Sequence, residues 1–371
     1  MYRIIVLNPG STSTKVALYE DAEKVFQTNI DHPSTELAKY ERIVDQLPYR
    51  KQVIEDILAE KGVDIASADA FSAICTGLLT MPGGVFEVND VMYEHGKIGP
   101  GSKHPGNLGP LLAKDFAEKY GRRAFVVDPS SLDEFTEEAR MTGFVEILRT
   151  PRGHPLNQRA VARRYAADHG TTYEDVNLVV VHLGGGISIG AHEHGKMVDN
   201  VDSSRGEGRM APTRSGTAPI ADVVEMCFSG EYSKADMINR VMRTGGWTAH
   251  LGTADALEIE RRIEAGDKYA ELVYRTTAYQ IAKDVAAMAA ALKGKVDAII
   301  MTGGISHSKL MVSMVRERTE WIAPVEVYPG EFEMDALAAG AIRALSGEET
   351  PKSYTGEPVF PGFDKLYDIK R

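Results

Sequence analysis

The chain has 371 residues, enough for two domains with sizeable cores, and its 43% hydrophobic and 26% charged content excludes a disordered or fibrous protein. Its 42 basic and 53 acidic residues leave a net charge of −11, which argues against a nucleic-acid surface but not against one basic pocket for an anion. Two cysteines, Cys75 and Cys227, exclude a disulfide scaffold. No apolar run approaches the roughly 18 residues of a membrane span, and residues 1–7 lack the apolar core and cleavage site of a signal peptide. A soluble, cytoplasmic enzyme is expected.

Residues 3–7, 15–19 and 24–28 read as three strands joined by short turns. Residues 36–60 carry Leu37, Tyr40, Ile43, Val44 and Leu47 at helical spacing, with Pro48 expected to break the helix. Short buried strands are expected at 69–75 and 124–127, and helices at 108–120 and 132–141. The second half starts near residue 151. It reads as a helix with a basic face (156–169), a strand (177–181) and two meander partners (187–193 and 196–198). Helices follow near 220–228, 234–243 and 253–265, then a long alanine-rich helix at 268–292 that would serve either an interface or its own domain's core. Strand 297–301 runs into Thr302-Gly303-Gly304, 325–328 is a last strand, and 334–345 is a small-residue helix. The Pro-, Gly- and charge-rich tail from Gly347 is expected along the surface. Alternating strands and helices make the class α/β.

Ile5-Val6-Leu7-Asn8-Pro9-Gly10 and Val180-Val181-His182-Leu183-Gly184-Gly185 echo each other: an apolar strand, a Gly/Ser turn, then a second strand. Each then reaches a Lys-apolar pair, Lys24-Val25 and Lys196-Met197, at an offset of about 172 to 175 residues. Such a repeat reads as one domain topology used twice, each copy offering a turn to a shared cleft.

Three turns follow apolar strands. In the first, Ser11, Thr12, Ser13 and Thr14 lie between Gly10 and Lys15; backbone N–H groups, hydroxyls and a lysine suit a phosphate, though the spacing is not that of a Walker A loop. The second is Gly184-Gly185-Gly186, where three glycines permit close approach of a ligand. The third, Gly303-Gly304-Ile305, opens from a strand as nucleotide sites do. Each is also readable as a plain turn; their convergence favours a phosphate-handling enzyme. Arg214 in a Ser/Gly loop can clamp an oxyanion, His154 lies in a rigid Pro/Gly loop, and Asp128 ends a short strand. Glu331 and Glu333 flank a helix start; they would cap it or hold a metal-bound water. No zinc spacing and no GxSxG elbow occurs, and His192-Glu193-His194 is expected at the surface.

These motifs carry a resemblance. Leu7-Asn8-Pro9-Gly10-Ser11-Thr12-Ser13-Thr14-Lys15, His182-Leu183-Gly184-Gly185-Gly186, Arg214-Ser215-Gly216-Thr217, Leu251-Gly252-Thr253-Ala254-Asp255 and Thr302-Gly303-Gly304-Ile305 resemble the butyrate kinase branch of the acetokinase family, within the actin-like ATPase and sugar-kinase superfamily. The resemblance runs to about residue 350. It implies two actin-like (ribonuclease H-like) α/β domains with a nucleotide cleft between them, 1–150 joined by the tail 346–371, and 151–345. It implies reversible, Mg²⁺-dependent transfer of the ATP γ-phosphoryl to a short-chain carboxylate in a cytoplasmic homo-oligomer. Asn8, Asp128, His154, His182, Arg214 and Glu333 are then the catalytic set, with Asn8, Asp128 and Glu333, or Glu331 in its place, on the metal side. Ser11 to Lys15 and Gly184 to Gly186 would bind phosphates; Asp255, Gly303, Gly304 and Ile305 would hold adenosine.

One departure stands out. The resemblance implies an arginine in an Arg-Gly-Gly context near residue 75. Here Cys75-Thr76-Gly77-Leu78-Leu79-Thr80-Met81-Pro82-Gly83-Gly84 has none, and no lysine or arginine lies between Lys61 and Lys97. Lys97 and Lys103 are distant substitutes. The departure keeps open a relative repurposed as an ATPase or acyl-phosphatase, or acting on another acceptor. A nucleotide-dependent assembly protein is disfavoured, because nucleotide binding alone does not require Asn8, His154, His182 and Arg214 together.

Overall fold

The computed structural model describes residues 1–369. It divides into two compact units, Met1–Asp133 with Phe332–Arg371, and Glu134–Glu331. Twelve strands are β1 Arg3–Pro9, β2 Ser13–Glu20, β3 Glu23–Asp31, β4 Ala70–Ala73, β5 Val85–Glu87, β6 Arg123–Val127, β7 Asn177–Leu183, β8 Ile187–Glu193, β9 Lys196–Asp202, β10 Ala298–Gly303, β11 Val325–Pro329 and β12 Lys352–Ser353. The first sheet runs β12-β5-β6-β4-β1-β2-β3 and the second β11-β10-β7-β8-β9.

The echo in the sequence is an echo in topology. β1, β2 and β3 form an antiparallel meander, with β4 parallel to β1 and β6 parallel to β4. β7, β8 and β9 repeat it, with β10 parallel to β7 and β11 parallel to β10.

Strand period sorts the cores. In the first unit Ile5, Leu7, Phe71 and Ala73 share one cluster with Leu112 and Phe116 of the helix Leu108–Tyr120. The helix Glu333–Ser346 also lies against β1, β4 and β6, and Ser72 Oγ donates to the Leu337 carbonyl at 2.7 Å. In the second unit Val179, Val181, Ile187 and Ile189 pack with Val273, Ile281 and Val285 of the helix Lys268–Ala291, which is thus used in its own core. The helix Pro155–Asp168 lies against β7 and β10.

Local departures from the sequence reading have local causes. Residues 134–150 go with the second unit and 332–345 with the first. Thr136 N donates to the Val198 carbonyl and Arg149 pairs with Asp199, which ties the former segment to β9. The expected helix 132–141 shrinks to Glu137–Arg140, because Asp133 N donates to the Met81 carbonyl and Glu134 reaches Arg159 and Met197 N. Pro48 does not break a helix; it sits in the first turn of Leu47–Glu60, where a missing N–H costs nothing. The helix expected from residue 253 begins at Ala256, capped by Asp255. β5 and the helices Asp90–Ile98, Gly246–Leu251 and Lys309–Thr319 were not anticipated. Of the tail expected at 346–371, the last two residues lie outside the described residues.

Candidate active site

In the second unit, β7 delivers His182 to the start of the glycine turn, which closes with Gly184 N donating to the Gly186 carbonyl at 3.1 Å. His154 immediately precedes the helix Pro155–Asp168. Their rings stack, with centroids 3.8 Å apart and planes 11° from parallel. Burial and the nearby Arg214 guanidinium push His154 down to about 4; burial, then His154 itself, holds His182 well below the ordinary imidazole range. Both rings are therefore neutral at pH 7.

Buried polar side chains fix these rings. Asn157 Nδ2 meets His182 Nδ1 at 2.9 Å, so Nδ1 accepts and the ring proton sits on Nε2. His154 Nδ1 meets Ser188 Oγ at 2.9 Å, and Gln158 Nε2 donates to the same hydroxyl at 2.9 Å. Gln158 Oε1 meets His192 Nε2 at 2.9 Å, and His192 Nδ1 meets the Tyr173 hydroxyl at 2.6 Å. His192, expected at the surface, is fully buried: it is the inner end of the chain that positions His154.

Arg214 Nη1 lies 3.6 Å from Asp202 Oδ2, and neither buried atom has a hydrogen-bond partner among the described residues. That is too far for a hydrogen bond, so a fork donor remains for a ligand. Gly186 makes this possible, since a Cβ there would overlap the guanidinium. Two cations that the sequence reading passed over share the corner. Burial, then the like charge of Arg205, lowers the half-buried Arg152 guanidinium against the opposing charges of Asp202 and Glu207.

Gly303, at φ 88°, lets β10 pass against the Leu183 carbonyl, where a side chain would clash. Gly304 borders open space and Ile305 packs on the core. Asp255 is exposed and its carboxylate accepts from Leu257 N at 2.9 Å, so it already serves as a helix cap.

In the first unit, Asn8 Nδ2 donates to Glu333 Oε2 at 3.2 Å, joining the end of β1 to the first residue of the helix Glu333–Ser346. Asp128 is buried at φ 38° and accepts from Gly84 N at 2.8 Å. Glu331 belongs to the other unit and is exposed. The turn after β1 is tied by Gly10 N donating to the Ser13 carbonyl at 2.7 Å. Ser11 and Thr12 are exposed and Ser13 half-buried, while Thr14 points inward. Its hydroxyl accepts from Arg50 Nη1 at 3.0 Å and meets His32 Nε2 at 2.8 Å. Arg50 is wholly buried, and burial lowers its guanidinium to about 10. Nothing in the sequence distinguishes Arg50 from a surface arginine.

Comparison with known proteins now decides the family. The acetokinase family profile matches residues 151–339. Two Clostridium botulinum proteins described as probable butyrate kinase, from strains Alaska E43 and Eklund 17B, are each 45% identical over 353 residues, covering 95% of this chain and 99% of the relative. The chain belongs to the acetokinase family. Solved structures agree on the fold. Porphyromonas gingivalis acetate kinase has a TM-score of 0.77 at 20% identity, covering 93% of this chain and 100% of its own. A Francisella tularensis propionate kinase has a TM-score of 0.72 at 17% identity, covering 92% and 99%.

Within this acetokinase fold, the structure gathers His154, His182, the glycine turn and Arg214 in one unit, and Asn8, Glu333 and the hydroxyl turn in the other. The supporting residues Asn157, Gln158, Ser188 and Asp202 escaped the sequence reading. One signal was available: positions 154, 157 and 158 lie on one helical face.

Proposed function

We propose that this acetokinase-family chain transfers the γ-phosphoryl group of ATP, with Mg²⁺, to a short-chain carboxylate, butyrate or a branched analogue, and runs reversibly. The observation that carries the reading is the stacked, neutral His154–His182 pair beside a guanidinium with a free donor. The near-full-length relatives described as probable butyrate kinase point to the acceptor.

A carboxylic acid is ionised at pH 7, so no general base is required. A carboxylate oxygen forms a bond to the γ-phosphorus as the bond to the leaving ADP oxygen breaks, and ADP departs with that electron pair. No proton moves. The enzyme's task is alignment and charge stabilisation. His182, fixed with its proton on Nε2, donates without adding charge; Arg214 supplies a cationic fork for an equatorial oxygen. Main-chain amides at Gly184 to Gly186 and the turn from Ser11 to Lys15 bind phosphate oxygens, while Asp255, Gly303, Gly304 and Ile305 flank adenosine. When bound, Mg²⁺ neutralises phosphate charge. Asn8, Asp128 and Glu333 would hold it, partly through water. Their amide and carboxylate oxygens are the hard donors it takes, and Asn8 and Glu333 already stand side by side.

The chain acts in the cytoplasm as a homo-oligomer in this reading. Among the described residues no helix is long and apolar enough to cross a membrane. The repurposed reading gains no support from the comparisons. Purified protein with MgATP, hydroxylamine and acids of two to five carbons tests the proposal. Acyl hydroxamate with a four-carbon optimum is expected; ATP binding without product from any acid would refute it.

A further inference from the structure

The charges around Arg214 do not balance within the protein. Arg149 holds Asp199 at 2.9 Å and pairs with Glu207, so both carboxylates are taken. Asp202 faces Arg214. Arg152 and Arg205 are left, and among the described residues neither has a carboxylate within ion-pair distance. Arg152 Nε is buried and has no hydrogen-bond partner among the described residues. The main chain here is fixed: the Arg152 carbonyl accepts from Asn200 Nδ2, and Gly153 follows at φ 125° directly before His154. Burial and the like charge of Arg205 lower the Arg152 guanidinium more than the opposing charges of Asp202 and Glu207, already engaged by Arg214 and Arg149, raise it. Arg205 also stands at the rim of a cavity of about 390 Å³, walled in part by Met210, Val223, Met226 and Val241.

We propose that Arg152, with Arg205 beside it, forms an oxyanion-binding arm of the Arg214 site and receives the acceptor carboxylate, whose short apolar tail enters the adjoining cavity. The acceptor part rests on the kinase reading above. Both substrates are anionic, His154 and His182 are neutral, and Arg214 is partly offset by Asp202. The acceptor's charge therefore needs its own cation. The first unit offers no lysine or arginine between Lys61 and Lys97, and Arg152 is in place two residues before His154.

Arg152→Met, Arg152→Lys and Arg205→Met test this by steady-state kinetics of hydroxamate formation. Arg152→Met should lower kcat/KM for butyrate by about tenfold to a thousandfold, while KM for ATP stays within twofold. Arg152→Lys should recover part of the loss, since it restores charge without the planar fork. Arg205→Met should give a smaller loss that grows with acid chain length. Butyrate constants within twofold of wild type in Arg152→Met overturn the assignment. So does a rise in KM for ATP alone, which would put the guanidinium on the nucleotide side. If Arg152→Met does not fold by circular dichroism, Arg152→Gln takes its place in the same comparison. If the wild type makes no acyl phosphate at all, the kinase reading fails but the arm remains testable. Calorimetric titration with inorganic phosphate should then show binding to wild type and at least tenfold weaker binding to Arg152→Met; equal or absent binding in both would sink the arm.

Discussion

The two turns that follow β1 and β7 occupy the same place in the same meander and accommodate an arginine by opposite routes. The first is built from hydroxyls and supported from below. Arg50, wholly buried, donates to the Ser13 carbonyl at 3.3 Å, to Thr14 Oγ1 at 3.0 Å and to Gln46 Oε1 at 3.0 Å. The second is stripped to glycine so that Arg214 can lie over it. The same topology thus accommodates a cation on either side of the turn, and the turn composition decides which. A hydroxyl turn needs a buried donor to hold its shape; a glycine turn needs only room. Breaking the first device should cost stability, and breaking the second should cost rate.

The sharpest way to break this contrast is Gly186→Ala. The added methyl displaces the Arg214 guanidinium, so kcat/KM for the carboxylate should fall about a hundredfold to a thousandfold, with the thermal unfolding midpoint almost unmoved. A variant that unfolds early but keeps its rate would erase the distinction.

Arg50→Met should do the reverse. It removes the donor to the Gln46 amide oxygen and one of two partners from both the Thr14 hydroxyl and the Ser13 carbonyl, at a cost of about 2 kcal/mol in urea unfolding. Hydrogen exchange should locate the loss in β1 to β3, with β7 to β9 still protected.

The histidine pair gives the smallest effect. His154 is lowered in the folded chain, so between pH 6.5 and about 4 the unfolded chain binds a proton that the folded chain refuses. Stability is therefore undiminished above pH 6.5 and falls as pH drops, by about 2 kcal/mol between pH 7 and pH 5 from this residue. His154→Gln should flatten that dependence in denaturant titrations at the two pH values. An unchanged slope would mean the pair is charged when folded.

Much of the candidate site was legible in the sequence because its pieces are local. A strand, a turn and a second strand are written in consecutive residues, so Asn8, His182 and the glycine turn were found with their neighbours. Arg214 was found in its Ser/Gly loop. The duplicated meander was legible for the same reason. The helix at 132–141 was misread because its pattern is apolar enough, while the hydrogen bonds that keep its first half extended come from Met81, Arg159 and Met197.

By itself the sequence determined the α/β class, the family and the strand-turn motifs, since backbone preference and side-chain period act over a few residues. Tertiary structure alone decided that His154 stacks on His182, that His192 is buried, that Glu333 meets Asn8 across more than three hundred residues, that Arg50 is wholly buried beneath the hydroxyl turn, and that Arg152 Nε is buried with no hydrogen-bond partner among the described residues. Those outcomes depend on which strands become neighbours and on the dielectric around each group. Both are properties of the assembled fold, because burial and long-range pairing have no signature within a short window of chain.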